Sequence, residues 1–218
     1  MQNILRIDAS ARITRSLTRN LADNFMAAFL EACPNAEVMV RDIGAAPPPI
    51  VTEAWIAAAF KPAEERTDLE KEALLLSDEL IAELRAADLI LLSTPLYNYG
   101  MPAALKAWVD QVIRVGETFS FDLARGDFPI EPILSGKKLI VLTSSGEFGF
   151  DPGGIRQSSD HLIPHLQTIS KYLGVETVDL IRIEYQEFGD QRHQESKNEA
   201  GKLAAAKGHA LGKALHAD

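Results

Sequence analysis

Residues 89–102 of the 218-residue chain read Leu-Ile-Leu-Leu-Ser-Thr-Pro-Leu-Tyr-Asn-Tyr-Gly-Met-Pro, and they are the best indication of its fold class. Its first four residues are all aliphatic, which predicts a strand covered on both faces of a sheet, and the rest predicts a loop. Four more short runs rich in aliphatic residues predict strands. Those over 4–7, 38–40 and 139–142 are similarly apolar, whereas 178–183 partly alternates apolar with charged residues, as expected nearer a sheet edge.

Helical periodicity separates these strands. Leu17, Leu21 and Phe25 lie four residues apart and therefore share one helix face. Strands that alternate with helices imply right-handed crossovers, and hence an α/β fold with a doubly wound, mainly parallel sheet. We expect a single domain over residues 1–218, with five strands in the flavodoxin-like order 2-1-3-4-5. Further helices are predicted over 64–86, 103–115, 158–172, where Pro164 marks a kink or a start, and 191–216.

The composition argues against several classes of protein. Asp and Glu number 31 against 22 Lys and Arg, a formal net charge of −9 with no local basic cluster, so we expect no nucleic-acid partner. Apolar runs of about 18 residues and a leader-like amino terminus are both missing, so we expect no membrane partner and no secretory signal. The single cysteine, Cys33, excludes an intrachain disulfide. A cytoplasmic location is the expectation that remains.

The loop after the first strand is rich in hydroxyl groups. In open α/β sheets ligands gather beyond the carboxyl ends of the strands, and here that end leads into a helix starting near Ser16. The N–H groups of the helix start, with the hydroxyls of Ser10, Ser16 and Thr18, could bind a phosphate, and Arg12 and Arg15 are close in sequence. The alternative is that Ser16 is an ordinary helix N-cap and the other hydroxyls solvate the loop. No Gly-x-Gly-x-x-Gly fingerprint or P-loop is present, which argues against a Rossmann oxidoreductase or a P-loop NTPase.

Two other loops follow predicted strands at the same edge. Tyr97, Asn98 and Tyr99, bracketed by Pro and Gly, could hold a flat heterocycle, or they could form a tight surface turn. Small residues over 143–146 would let the backbone approach a ligand closely, although a flexible connection explains them equally well. No Gly-x-Ser-x-Gly elbow surrounds the serines of this loop, so a serine esterase is disfavoured.

Taken in order, the three loops resemble those of the FMN-dependent NADH-azoreductases, the flavodoxin-fold quinone and azo reductases of bacteria. The resemblance covers nearly the whole chain, and its most specific part is the Tyr-Asn-aromatic block followed by Lys-x-Trp-x-Asp and Gly-x-Thr-Phe. The matching residues are Ser10, 16–18, 76–80, 95–102, Lys106, Trp108, Asp110, 116–121 and 136–144.

The resemblance implies an FMN cofactor. Its phosphate would bind at Ser10 and at the amides and hydroxyls of 16–18, its ring would be edged by 96–99, and its far side would meet 144–147. The implied cofactor-binding residues are Ser10, Ser16, Leu17, Thr18, Leu96, Tyr97, Asn98, Tyr99, Ser144, Ser145, Gly146 and Glu147.

A homodimer with two active sites at its interface is also implied, with Phe119 and Phe121 lining the substrate pocket. His161 could border that pocket. It lies four residues before His165, as in a helical zinc pair, but the intervening glutamate of a metalloprotease and a third ligand are missing, so we expect no metal.

The chain departs from the family after the fourth strand. Where the family usually has Ser-Arg-Gly-Gly, this sequence has Ser144, Ser145, Gly146 and Glu147, so a hydroxyl replaces a cation and a carboxylate replaces a glycine. The change bears on how substrate and nicotinamide are contacted there.

The implied chemistry belongs largely to the cofactor. In the hypothesised ping-pong cycle, NADH or NADPH gives hydride to the flavin and leaves, and a quinone or azo compound then takes its place. Backbone N–H groups near Asn98 and Gly146 would stabilise negative charge on the reduced ring, and no catalytic side chain is expected. Two alternatives stay open: a flavodoxin-type electron carrier, against which the extra segments 52–86 and 119–121 argue, and a flavin-free phosphate-binding regulatory domain.

Overall fold

Five parallel strands form the central sheet of the structure, a computed structural model that describes residues 3–216. Their order is β2-β1-β3-β6-β7, which is 2-1-3-4-5 when only these strands are counted, so the predicted flavodoxin-like topology is confirmed. The first and last two residues of the expected domain lie outside the described residues. The sheet strands are β1 (Asn3–Asp8), β2 (Glu37–Asp42), β3 (Leu89–Pro95), β6 (Lys137–Ser144) and β7 (Val175–Ile183), and a separate pair is formed by β4 (Phe119–Phe121) and β5 (Ile130–Pro132).

Helices cover both faces of this sheet. Their bounds are α1 (Leu17–Ala32), α2 (Glu53–Phe60), α3 (Asp68–Ala86), α4 (Ala103–Val112), α5 (Ile163–Ile169) and α6 (Gln191–His216). On one face α1 packs beside α6 and buries the stacked rings of Phe25 and Phe29. On the other face α3, α4 and α5 bury side chains such as Leu84, Trp108 and Leu166. Both cores together fix the carboxyl ends of the strands at one edge.

Several predicted helix bounds were too wide. The helix predicted over 64–86 starts at Asp68, because Thr67 caps it in a capping box with Glu70, and a short 3-10 turn precedes it at Ala63–Glu65. The helix predicted over 103–115 ends at Val112. Of the segment 158–172, only Ile163–Ile169 is α-helical, and Pro164 lies in its first turn, where a missing N–H costs no hydrogen bond.

The sheet edge and one hairpin also differ from expectation. β2 was expected to be covered on both faces, but Val40 is 57% exposed, because β2 is an edge strand. β7 is the other edge strand, as predicted, and it begins at Val175 rather than near residue 178. The β4–β5 hairpin was not predicted, since each strand has three residues, too few for a periodicity.

In the described part of the chain, no helix is long and apolar enough to cross a membrane. Within residues 3–216 no group of His, Cys, Asp and Glu is arranged to hold a metal ion. Cys33 is buried and its thiol is free.

Candidate functional site

The three loops singled out in the sequence meet at the carboxyl edge of the sheet. They enclose an open cavity of about 110 Å³ next to the start of α1. Two residues that follow β7 complete the lining. The lining residues are Ser10, Arg12, Arg15, Ser16, Leu17, Pro95, Leu96, Tyr97, Ser144, Gly146, Gln186 and Glu187.

The start of α1 provides donors at one end of the cavity. Ser16 is the N-cap, and its Oγ accepts a hydrogen bond from the N–H of Arg19 at 3.3 Å and lies 3.2 Å from Oγ1 of Thr18. The simpler alternative, an ordinary cap, is therefore true of Ser16. The same arrangement leaves the N–H groups of Leu17 and Thr18, the first two of the helix, without acceptors inside it. Together with the helix dipole, they favour an anion at this position.

Arg19 holds the first loop in place from behind. Its guanidinium makes a two-pronged pair with Asp42, with N–O distances of 2.7 and 2.6 Å. It also donates to the backbone oxygens of Ser10 at 2.8 Å and Arg12 at 3.1 Å. The hydrogen bond from Arg19 lowers the pKa of the Asp42 carboxyl below its ordinary value. Gly44 lets the backbone of Ser10 pack closely against it, because a Cβ on residue 44 would lie 2.1 Å from the Ser10 oxygen.

A buried carboxylate lies beneath the same loop. Asp8 ends β1 and accepts a hydrogen bond from the hydroxyl of Ser93, in β3, at 2.5 Å. Its other oxygen lies 2.9 Å from Nε of Arg6 and 3.5 Å from Nη1 of Arg19. Arg6 and Arg19 thus compensate the Asp8 charge in part, since each is shared with a second carboxylate, that of Asp23 or Asp42.

The loop after β3 is a tight turn with strained backbone. Tyr97 and Gly100 exchange two backbone hydrogen bonds, at 3.2 and 2.9 Å. Between them, Asn98 and Tyr99 have φ values of 47° and 67°. These values lie in the left-handed region, which residues other than glycine rarely adopt. The N–H of Leu96 donates to the oxygen of Ser144 at 2.8 Å, which ties this loop to the one after β6. Such strain collects at functional sites.

The loop after β6 packs against the segment after β7. The N–H of Glu187 donates to the oxygen of Gly146 at 3.0 Å, and a Cβ on Gly146 would lie 2.5 Å from Cγ of Glu187. The N–H of the buried Ser145 donates to the oxygen of Ile183 at 2.9 Å. Gln186 and Glu187 were missed in the sequence, where their only signal is their position just beyond the last strand.

Glu147 connects the loop after β3 to Arg156, at the rim of the cavity. Its Oε2 accepts a hydrogen bond from the Tyr99 hydroxyl at 2.8 Å, and its Oε1 accepts one from Nε of Arg156 at 2.8 Å. The bond to Glu147 raises the pKa of the Tyr99 phenol, because it stabilises the protonated form and the carboxylate opposes a second negative charge.

Seven of the twelve expected cofactor-binding residues line the cavity, and the others are next to it. Thr18 contacts Ser16, Asn98 and Tyr99 follow Tyr97, and Ser145 and Glu147 flank Gly146. Their predicted roles remain predictions.

The expected substrate-pocket residues do not line this cavity. The N–H of the exposed His161 donates to the oxygen of Tyr99 at 2.9 Å, so His161 contacts the loop after β3 without lining the cavity. Phe119 instead packs edge-on against Tyr172, with ring centroids 5.8 Å apart. Tyr172 lies three residues before the first residue of β7, at the amino edge of the sheet. An eight-residue strand such as β6 spans roughly 25 Å, so the hairpin is far from the cavity of its own chain.

The site fits a phosphate ester joined to a flat ring. Hydroxyls and helix-start N–H groups suit the phosphate, and the loop after β3 offers a rigid edge for a ring. The volume is well below the 300 to 1,000 Å³, roughly, of complete small-molecule pockets. The rest of such a ligand would therefore lie outside the enclosed part of the cavity.

The chain is similar to known proteins in both sequence and structure. Residues 2–206 match a family described as having a flavodoxin-like fold. The chain is 53% identical over 207 residues to "FMN-dependent NADH:quinone oxidoreductase 2" of Colwellia psychrerythraea, covering 92% of this chain and 94% of that one. It is 44% identical to "FMN-dependent NAD(P)H:quinone oxidoreductase 1" of Pseudomonas aeruginosa, covering 92% and 95%. An azoreductase structure from Bacillus anthracis superposes with a TM-score of 0.85 at 22% identity, covering 96% and 100%, which shows the shared fold.

Proposed function

We propose that this chain is an FMN-dependent enzyme that reduces quinones or azo compounds with NAD(P)H. The chain belongs to the flavodoxin-like fold family and, within it, to the FMN-dependent NADH:quinone oxidoreductases. The observation that carries the proposal is the meeting of the three loops around one cavity at the start of α1.

The first loop and α1 would hold the FMN phosphate. Leu17 and Thr18 would donate N–H groups, and Ser10, Ser16 and Thr18 would donate hydroxyls. Arg12 and Arg15 also line or border this end of the cavity and would balance the phosphate charge locally. The overall charge of −9 therefore does not oppose anion binding here.

The other two loops would hold the ring. Leu96 and Tyr97 line the cavity and would contact the ring edge, with Asn98 and Tyr99 continuing the same turn. Gly146 lets the Glu187 side chain pack closely against it, and the N–H of Gly146 would donate to an electron-rich ring edge. Ser144, Ser145 and Glu147 would border the opposite side.

Bound FMN would supply the redox chemistry, namely transfer of a hydride equivalent from NAD(P)H to the quinone or azo acceptor, with water providing the one further proton. The protein would bind, orient and exclude solvent. We propose that both substrates would use the same face of the ring and so occupy it in turn, in a ping-pong sequence. Initial rates at varied NADH and quinone should then give parallel double-reciprocal lines, and intersecting lines would contradict the sequence.

A homodimer completes the proposal. The cavity of one chain is small, while the β4–β5 hairpin lies at the opposite sheet edge and exposes apolar side chains, including Phe121, Leu123 and Phe128. In a dimer this hairpin could lie over the partner's cavity and bring Phe119 and Phe121 to its substrate pocket, with His161 at the border. We also propose a cytoplasmic location, which cell fractionation would test.

Visible spectroscopy of the purified protein tests the function. We expect a flavin spectrum that bleaches on anaerobic addition of NADH and returns on addition of a quinone, without accumulation of a stable radical form. A protein that reduces quinones at full rate after removal of all flavin would overturn the proposal. A flavin that NADH does not bleach, but that photoreduces to a stable semiquinone, would instead support the electron-carrier alternative.

A further inference from the structure

Arg156 places a fixed positive charge at the rim of the cavity. Its Nε bonds to Glu147, its Nη1 donates to the backbone oxygen of Phe148 at 3.1 Å, and its guanidinium lies 4.9 Å from the centre of the Phe148 ring. The Arg156 and Glu147 side chains are 27% and 32% exposed, so both remain open to solvent at the rim. Three contacts hold the cation in one position, and one carboxylate cancels its charge.

Tyr99 is held at both ends by neighbouring residues. Its backbone oxygen accepts the N–H of His161, and its hydroxyl bonds to Glu147. Its ring lies 6.3 Å from that of Phe150. Because its backbone is left-handed, this conformation needs support from the surroundings, and Glu147 gives that support at the hydroxyl end.

Glu147 thus has two effects on the same place. It fixes the ring that borders the cavity, and it neutralises the nearby guanidinium. A glycine at this position could do neither, and Ser145, two residues earlier, carries no charge. Glu147 and Arg156 lie beside the cavity lining, whose own charged groups, Arg12, Arg15 and Glu187, are on other loops.

We propose that Glu147 is a specificity-determining residue: by holding Tyr99 and pairing with Arg156, it removes the preference for anionic acceptors that an unpaired Arg156 would create. The inference rests on the proposed function and adds to it the selection of acceptors by charge. At separations of several ångströms and an effective dielectric constant between that of protein and that of water, one rim charge changes binding of a monoanion by about three- to tenfold.

Two acceptors that differ by one charge test the inference. We would measure kcat/KM for a neutral naphthoquinone and for the same naphthoquinone carrying one sulfonate. The quantity compared between variants is the ratio of kcat/KM for the anionic acceptor to kcat/KM for the neutral one. Relative to wild type, Glu147→Gln should raise this ratio about three- to tenfold and Arg156→Gln should lower it similarly, while the double variant should return towards wild type. Added salt should reduce both effects.

Glu64→Gln is the matched control. Glu64 is exposed in the short 3-10 turn before α3, so the variant makes the same change in total charge away from the cavity. It should leave the ratio within measurement error. The inference is overturned if Glu147→Gln and Arg156→Gln move the ratio in the same direction, or if neither moves it more than Glu64→Gln.

A second measurement does not need flavin or turnover. In the flavin-free protein, tyrosinate absorbance followed with rising pH should show one phenol with a raised pKa, and Glu147→Gln should lower that pKa. The change should be missing when Glu147→Gln is made in a Tyr99→Phe background. If the wild-type protein reduces no quinone, the proposed function fails while this titration still decides whether Glu147 holds Tyr99; an unchanged titration refutes the holding role.

Discussion

At the scale of single residues, Arg19 determines the shape of the proposed phosphate loop. Arg19→Met removes both bonds to Asp42 and both bonds to the loop backbone. We expect the Kd for FMN to rise about tenfold, equivalent to roughly 1.4 kcal/mol, because the loop loses its fixed conformation. Flavin fluorescence titration of the flavin-free protein would measure it.

The control for this change is Arg85→Met. Arg85 forms an ion pair with Glu117 near the amino edge of the sheet, remote from the cavity, and its side chain is 45% exposed. Such a pair contributes about 0 to 1 kcal/mol, so stability should change little and FMN affinity not at all. An equal loss of FMN affinity in both variants would show that Arg19 has no special role.

The Arg19–Asp42 pair also predicts a pH dependence of stability. The folded pKa of Asp42 is below its unfolded value of about 4, so the pair stabilises the folded protein fully above that value. This contribution is lost as the pH falls through the lowered folded pKa. Urea unfolding at several pH values should therefore show a shallower decline below about pH 4 in Asp42→Asn than in wild type. Parallel curves would contradict the assignment.

Single residues also mark the limit of what the sequence could predict. The hydroxyls of the first loop and the Tyr-Asn-Tyr turn were identified because their strands end at one edge, a rule that depends only on topology. The contact between Glu147 and Arg156 could not be predicted, because eight residues of irregular chain lie between them and no periodicity determines where such a segment folds back.

At the scale of elements, the capping box of α3 is a defined source of stability. Thr67 accepts a hydrogen bond from the N–H of Glu70, and Glu70 accepts one from the N–H of Thr67. The latter bond is the main reason why the pKa of Glu70 is lowered to about 2. Thr67→Ala should lower the free energy of unfolding by about 1 kcal/mol, as measured by chemical denaturation.

Thr67→Ser is the matched control for the capping box. Serine caps helices about as well as threonine, so this variant should keep nearly all the stability. If the alanine and serine variants were equally stable, the hydroxyl would not contribute, and the start of α3 would have to depend on packing alone.

The capping box also explains why one helix start was placed wrongly. The apolar stripe predicts a helix but not its first residue, since the charged run before it is compatible with either helix or turn. The capping hydrogen bonds of Thr67 determine the first residue of α3, and Pro164 in the first turn determines where α5 starts. The β4–β5 hairpin had no such local signal, because each strand is three residues long and depends on its partner.

At the scale of the whole molecule, the alternation of strands and helices was sufficient to predict the strand order. Right-handed crossovers leave few topologies for five parallel strands, and the observed order is the simplest. The surface used for assembly could not be predicted in this way, because the exposure of an apolar residue can be judged only after the chain has folded. Phe128, 85% exposed in the hairpin segment, gave no such signal in the sequence.

The proposed dimer therefore makes the last prediction. Phe128→Glu and Leu123→Glu place a carboxylate on the exposed apolar surface of the hairpin, which is buried if this surface contacts a partner. We expect both variants to sediment as monomers where the wild type is a dimer. Their KM for quinone should rise at least several-fold, because Phe119 and Phe121 would no longer reach the partner's pocket. Binding of FMN should fall less, since the phosphate loop lies within one chain.

Leu203→Glu controls for the introduction of charge, because Leu203 is a half-exposed leucine of α6, away from the hairpin. It should remain dimeric with an unchanged KM. If the hairpin variants stayed dimeric and active, the interface would lie elsewhere, for example on the apolar surface of α2 around Phe60, which is also exposed. A monomeric wild type with full quinone reductase activity would contradict the dimer itself, and each cavity would then have to form a working site from the residues of one chain.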